Sequence, residues 1–133
     1  NWESDYAWIN IYIDVSEQVR FTIPEDVITV IFDNLILNSI QQNEKRNRLV
    51  INIEVNMSAD ILFVCYRDNG IGLPEKYKKT PMKILEPHET SRKKGHGLGM
   101  WIVNNTLNMS GGEVLDITSE NGFNIDFTIG GKL

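Results

Sequence analysis

Arg67-Asp68-Asn69-Gly70-Ile71-Gly72 and Gly95-His96-Gly97-Leu98-Gly99-Met100 are the two stretches whose reading decides this chain. The first closes an apolar strand pattern and the second opens a helical one. Between them, over about residues 73–97, runs a segment with no clear apolar period. A segment of that length inside a small domain reads as a lid or binding loop. A glycine-rich loop that enters a helix also presents free backbone N–H groups, with the helix dipole behind them, to an anion.

Charge supports that reading. The chain of 133 residues carries a net −5, yet residues 73–97 hold seven Lys/Arg against three Glu. A basic flap over an anionic ligand fits this segregation, whereas general nucleic-acid binding does not suit an acidic chain. With 41% apolar and 23% charged residues the composition is that of one globular domain. No apolar run is long enough to span a membrane. The single cysteine, Cys65, sits in a strand pattern, reads as core filler, and fits a reducing, cytoplasmic setting.

Working outward, Ile9, Ile11 and Ile13 alternate with polar residues and predict a strand, followed by a short second strand near Val19–Phe21. Thr22-Ile23-Pro24-Glu25 predicts a helix start, with Thr22 and Glu25 as a capping box and Pro24 in the first turn. Ile28, Ile31, Phe32, Leu35, Ile36 and Ser39 recur at helical spacing as far as about Asn43. Asn34, Asn38 and Gln42 follow one another at intervals of four beside that stripe, and form the polar wall of a pocket. Strands follow at Leu49–Met57 and Ile61–Arg67, then a helix from Leu98 to about Asn108 stopped by Gly111-Gly112. Strands at Glu113–Thr118 and Phe123–Ile129, with Asn121-Gly122 as the turn between them, complete the chain. The fold class is therefore an α/β (α+β) two-layer sandwich, a mixed, mostly antiparallel sheet on a layer of helices.

The chemistry of these positions is limited. Asp68, a carboxylate at a strand end, can accept a hydrogen bond from an exocyclic amine such as that of adenine. Gly70 and Gly72 let a flat ring approach the backbone. Gly95, Gly97 and Gly99 can offer N–H groups to phosphates. Asn38 offers a neutral oxygen to a hard cation such as Mg²⁺, which takes few protein ligands and keeps phosphate oxygens and water.

Taken in order, Asp33-Asn34-Leu35-Ile36-Leu37-Asn38-Ser39, Asp68-Asn69-Gly70-Ile71-Gly72 and Gly95-His96-Gly97-Leu98-Gly99-Met100 resemble the N box and the two glycine boxes of the GHKL (Bergerat-fold) ATPases. Among these the chain looks most like the ATP-binding catalytic domain of sensor histidine kinases, and the likeness runs over nearly all of it. The resemblance implies a single domain over residues 1–133 that binds Mg-ATP and passes the γ-phosphoryl group to a histidine on a separate dimerising domain expected upstream. A response regulator would then be an indirect partner. It implies that Asn38 ligates Mg²⁺, that Asp68 holds the adenine amine with Gly72 beside it, and that Gly97, Leu98 and Gly99 approach the phosphates. It also implies that Arg92, in Thr90-Ser91-Arg92, meets the γ-phosphate, and that Thr128 supports Asp68. Hydrolytic relatives carry a glutamate base where this chain has Asn34. Asp33 is one residue away, turned about 100° around the helix. His88 and His96 read as loop residues rather than phosphoacceptors.

Overall fold

The computed structural model of the chain describes residues 7–20, 23–46, 48–86 and 99–130. Strands β1 (Ile9–Val15), β2 (Leu49–Ser58), β3 (Ile61–Asp68), β4 (Glu113–Thr118) and β5 (Asn124–Ile129) form one sheet in the order β1-β2-β3-β5-β4. Only β1 and β2 run parallel; the other neighbours are antiparallel. A parallel pair requires a crossover, and helix α1 (Glu25–Gln42) supplies it. Helix α2 (Gly99–Met109) packs beside α1, so the fold is the expected mixed sheet under a layer of helices.

Period-two burial explains the sheet's two faces. Leu49, Ile51, Ile53, Leu62, Val64, Tyr66, Ile125, Phe127 and Ile129 are buried beneath Ile31 and Leu35 of α1 and Met100, Val103 and Leu107 of α2. Cys65, predicted as core filler, instead pairs with Asp126 and Glu54 on the opposite face and is half-buried. Burial and a hydrogen bond to Asp126 push its thiol pKa up, so it rests protonated.

The turns follow from backbone chemistry. β2 and β3 are joined through Ala59 and Asp60, whose φ values of 52° and 67° are left-handed, as a two-residue hairpin demands. Asn121 and Gly122 close the β4–β5 hairpin with φ of 58° and 115°. At the end of α2, Gly111 takes φ 91° while Gly112 donates its N–H to the Leu107 carbonyl at 2.9 Å, a glycine C-cap as expected.

Three further expectations differ from the structure. Val19 and Arg20 belong to no strand; the Arg20 N–H instead reaches the Met57 sulfur at 3.4 Å. Pro24 precedes the helix rather than lying in its first turn, because its ψ of 136° is extended. Pro24 supplies no side-chain cap; Asp26 Oδ1 instead accepts the Val27 N–H at 3.0 Å, and Thr22 and Phe21 lie outside the described residues. The first half of the expected lid is packed structure. Short 3₁₀ turns at Glu75–Tyr77 and Pro81–Leu85 bury Ile84 and Leu85, together with Leu73, in the main core. Two of its four lysines are engaged locally, Lys78 3.9 Å from Glu75 and Lys76 over the Tyr77 ring at 5.1 Å.

Candidate functional site

The site is assembled where the end of β3 meets the last turns of α1. Asp68 is the inward-facing last residue of β3 and is 4% exposed. Its Oδ1 accepts the Gly70 N–H at 2.9 Å and the Phe123 N–H at 3.0 Å. Its Oδ2 accepts the Ser39 hydroxyl at 2.6 Å. Ser39 also lies 2.7 Å from the Tyr66 hydroxyl, which donates to the Leu35 carbonyl at 3.1 Å. Burial and the Asp68 charge together push the Tyr66 phenol upward, against the Ser39 hydrogen bond, so it stays protonated. The carboxylate is thus held rigidly from both the sheet and the helix. Such fixed placement suits an acceptor that must read a ligand group rather than a residue exchanging with solvent.

The glycine loop after Asp68 is tethered at nearly every donor. The Asp68 N–H donates to the Phe123 carbonyl and the Asn69 N–H to the Val50 carbonyl, while the Val50 N–H returns to Asn69 Oδ1 at 2.8 Å. Beyond Gly70, the Ile71 N–H donates to Asn43 Oδ1 at 2.8 Å and the Leu73 N–H to Ser119 Oγ at 2.7 Å. These donors are consumed by the protein, so this loop is no phosphate cradle. With two hydrogen bonds on Oδ1 and one on Oδ2, the carboxylate keeps acceptor capacity on Oδ2, which suits the base end of a nucleotide. Gly72 is required by a φ of 82° and by Ser119 Oγ, which would lie 2.4 Å from an added Cβ. Gly122 presses equally close, its missing Cβ falling 1.9 Å from the Asp68 carbonyl.

The polar stripe of α1 runs beside this anchor. Asn38 directly precedes Ser39, so the amide and the residue that touches Asp68 occupy adjoining sides of one helix turn. Asn38 is half-buried and makes no side-chain hydrogen bond to the described residues. Asn34 donates from Nδ2 to the Val30 carbonyl at 2.7 Å, and its Oδ1 lies 3.5 Å from where a Cβ on Gly99 would sit. The first residue of α2 therefore abuts the stripe. Gln42, one turn past Asn38, is half-buried. Asp33 is exposed, on the solvent side of the helix as its rotation predicts.

Asn34, Asn38, Gln42, Asp68, Gly70, Gly72 and Gly99 are thus brought to one region. Arg92, Gly95, Gly97 and Leu98 lie outside the described residues, as do His88 and His96. Thr128 is a correction. It pairs with Phe63, five residues back from Asp68 on β3, about 16 Å away at strand rise. It also alternates with inward-facing Phe127 and Ile129, and its hydroxyl engages the Glu113 backbone on the other face, so it does not support Asp68. Ser39, Tyr66 and the Phe123 N–H do so instead. Ser39 was legible as the one hydroxyl in an otherwise apolar stripe; Asn43 and Ser119 carried no sequence signal.

Three comparisons bear on this geometry. The sequence model of the family described as "Histidine kinase-, DNA gyrase B-, and HSP90-like ATPase" matches residues 14–131. Sensor histidine kinase WalK of Bacillus subtilis is 29% identical over 114 residues, covering 80% of this chain and 18% of that protein. A putative sensor histidine kinase NtrY-like of Rickettsia bellii is 31% identical over 103 residues, 77% of this chain and 16% of that protein. The chain thus spans less than a fifth of these curated relatives. Among solved structures, the catalytic domain of histidine kinase ThkA superposes with a TM-score of 0.77 at 24% identity, over 98% of this chain and 86% of that one. The mycobacterial sensor histidine kinase MprB gives 0.75 at 15% identity, over 98% and 87%.

Proposed function

This chain belongs to the histidine kinase-, DNA gyrase B- and HSP90-like ATPase family, and we propose that it is the ATP-binding catalytic part of a sensor histidine kinase. In this reading it binds ATP and donates the γ-phosphoryl group to a histidine on a separate dimerising domain of the same protein, in the cytoplasm. A response regulator receives the phosphoryl group afterwards. The observation that carries the reading is the Asp68 carboxylate, fixed by Ser39, Gly70 and Phe123, with Asn38 next to Ser39 on α1. Oδ2 keeps acceptor capacity toward the exocyclic amine of adenine.

A divalent cation fits this site. Asn38 is a half-buried neutral oxygen donor with no partner among the described residues, and no group of three His, Cys, Asp or Glu there could hold a metal by protein ligands alone. That suits Mg²⁺, which is shared between few protein oxygens and the phosphates. When bound it would neutralise phosphate charge; the rest is positioning. The chain's own residues orient the base at Asp68 and align the polar stripe of α1 with the start of α2. Arg92, with Gly95, Gly97 and Leu98, is proposed to meet the phosphates. In the transfer, the bond from the γ-phosphorus to its bridging oxygen breaks, a bond to the acceptor imidazole nitrogen forms, and ADP leaves.

Hydrolysis is disfavoured because the place of the hydrolytic base is taken by Asn34, already donating to the Val30 carbonyl, while Asp33 faces solvent. A general base typically contributes about 10²–10⁴ in rate. The test combines the chain with labelled ATP, with and without a phosphoacceptor helical hairpin supplied in trans. Acid-labile label on the hairpin histidine, with little phosphate release in its absence, is expected. Sustained release at roughly 1 s⁻¹ or faster without acceptor would instead make this an ATPase. Asn38→Ala should abolish the Mg²⁺-dependent part of ATP affinity in calorimetric titration; full metal enhancement in that variant would remove Asn38 from the metal.

A further inference from the structure

We infer that Asn43 is a positioning residue for base recognition, and that it, rather than the ligand, is why position 70 is glycine. The inference rests on the nucleotide reading above. Asn43 follows the last residue of α1 and is 2% exposed. Its amide is used at both ends: Nδ2 donates to the Ser39 carbonyl at 2.7 Å and Oδ1 accepts the Ile71 N–H at 2.8 Å. Asn43 therefore ties the backbone of Ser39, whose hydroxyl holds Asp68, to the loop that follows Asp68. With its N–H anchored, Ile71 keeps a 60% exposed apolar side chain three residues beyond the carboxylate. A flat base approaching Asp68 meets a loop that this amide ties to the end of α1 at Ile71.

Gly70 bears the mark of the same contact. Its φ is not in the left-handed region, so no backbone conformation demands glycine there. A Cβ at Gly70 would instead fall 2.3–2.5 Å from Oδ1, Nδ2 and Cγ of Asn43. The space is filled by the asparagine side chain, which is itself buried and hydrogen-bonded at both ends, so it cannot swing aside without losing both bonds. Positions 43 and 70 are therefore coupled: the amide requires the glycine.

The experiment uses the whole chain and three variants, Asn43→Ala, Gly70→Ala and the double substitution. Adenosine and inorganic tripolyphosphate are titrated separately, and Ile71 amide exchange is followed by NMR in the ligand-free protein. Asn43→Ala should weaken adenosine about five- to tenfold, the scale of one neutral hydrogen bond, leave tripolyphosphate unchanged, and speed exchange of the Ile71 amide. Gly70→Ala should weaken adenosine further in the wild-type background and cost little once Asn43 is alanine. A merely structural role would lower the melting temperature and leave the adenosine-to-tripolyphosphate ratio alone, which would overturn the inference. So would an equal Gly70→Ala penalty in both backgrounds, or unchanged Ile71 exchange in Asn43→Ala. If Asp68→Asn weakens adenosine but Asn43→Ala does not, only the inference falls. A wild-type chain that binds neither adenosine nor ATP overturns the nucleotide reading itself and leaves Asn43 as a fold-holding residue.

Discussion

Asp68→Asn tests the site with the least change of shape. The side-chain oxygen that faces Gly70 and Phe123 is retained, so both backbone donors at 2.9 and 3.0 Å keep an acceptor. Only their charge assistance is lost. Hydrogen bonds to charged groups contribute about 1.5–3 kcal/mol and neutral ones about 0.5–1.5. On the other side the new amide donates toward Ser39, whose hydroxyl can then turn to Tyr66 while Tyr66 donates to Leu35. With aspartate, two hydroxyl protons serve these three oxygen contacts; the amide supplies the third donor. Relief of carboxylate burial offsets part of the loss as well. The fold should therefore give up only about 1–2 kcal/mol, a few degrees of melting temperature for a chain of this size. Nucleotide binding should suffer more. The adenine amine would meet an N–H₂ group instead of an anionic acceptor, which costs about 1.5–3 kcal/mol and weakens ATP about ten- to a hundredfold. A base swap separates this from general damage. Inosine triphosphate carries an oxo group in place of the amine, so the wild type should prefer ATP and the variant should lose or reverse that preference. Calorimetric titration of both nucleotides against both proteins gives the ratio. An unchanged ATP-to-inosine-triphosphate ratio would refute the assignment of Asp68 to the base, however much both affinities fell.

Two further outcomes concern the frame around the site. Ala59 sits at φ 52° in the β2–β3 turn, a conformation that costs an L-residue with a Cβ roughly 1–2 kcal/mol; Ala59→Asn should raise the melting temperature by a few degrees, and a scanning calorimetry trace that drops would show that the turn is relaxed as it stands. Tyr66 has its phenol pKa raised by burial, so the unfolded chain ionises first, near the ordinary value of about 10. Its contribution is present below that pH and is lost as pH rises beyond it, at about 1.4 kcal/mol per unit; denaturant titrations between pH 10 and 12 should show the wild type falling that much more steeply than Tyr66→Phe, and parallel curves would remove the buried phenol from the account.

Each departure from the sequence pattern has its own physical reason. Thr128 was assigned to Asp68 by resemblance, yet it alternates with Phe127 and Ile129, which signals the face away from the helices. That parity was legible in the chain; the height of Thr128 along the sheet was not, because it depends on the β3–β5 register. The lid from residue 73 lacked a helical or strand period because short 3₁₀ turns bury isolated residues, Leu73, Ile84 and Leu85, rather than a repeating face. The helix start slipped because the residues of Thr22-Ile23-Pro24-Glu25 permit more than one placement of the cap, and Pro24 took the extended one.

By itself the sequence determined the elements, their class and the residues of the polar stripe. Strand alternation and helical spacing are local consequences of burying one face, so β2, β3, β4, β5 and both helices could be read to within a residue or two. Asp68 at a strand end and Asn38 on a helix were equally local. Only the tertiary structure decided how that carboxylate is held. Ser39, Asn43, Ser119 and Phe123 reach the Asp68 loop across sequence separations of 29, 28, 46 and 55 residues. Hydrogen bonds of that reach depend on the docking of α1 on the sheet and of the β4–β5 hairpin against β3, and no periodicity along a single chain encodes which polar atoms such docking brings within 3 Å of one another.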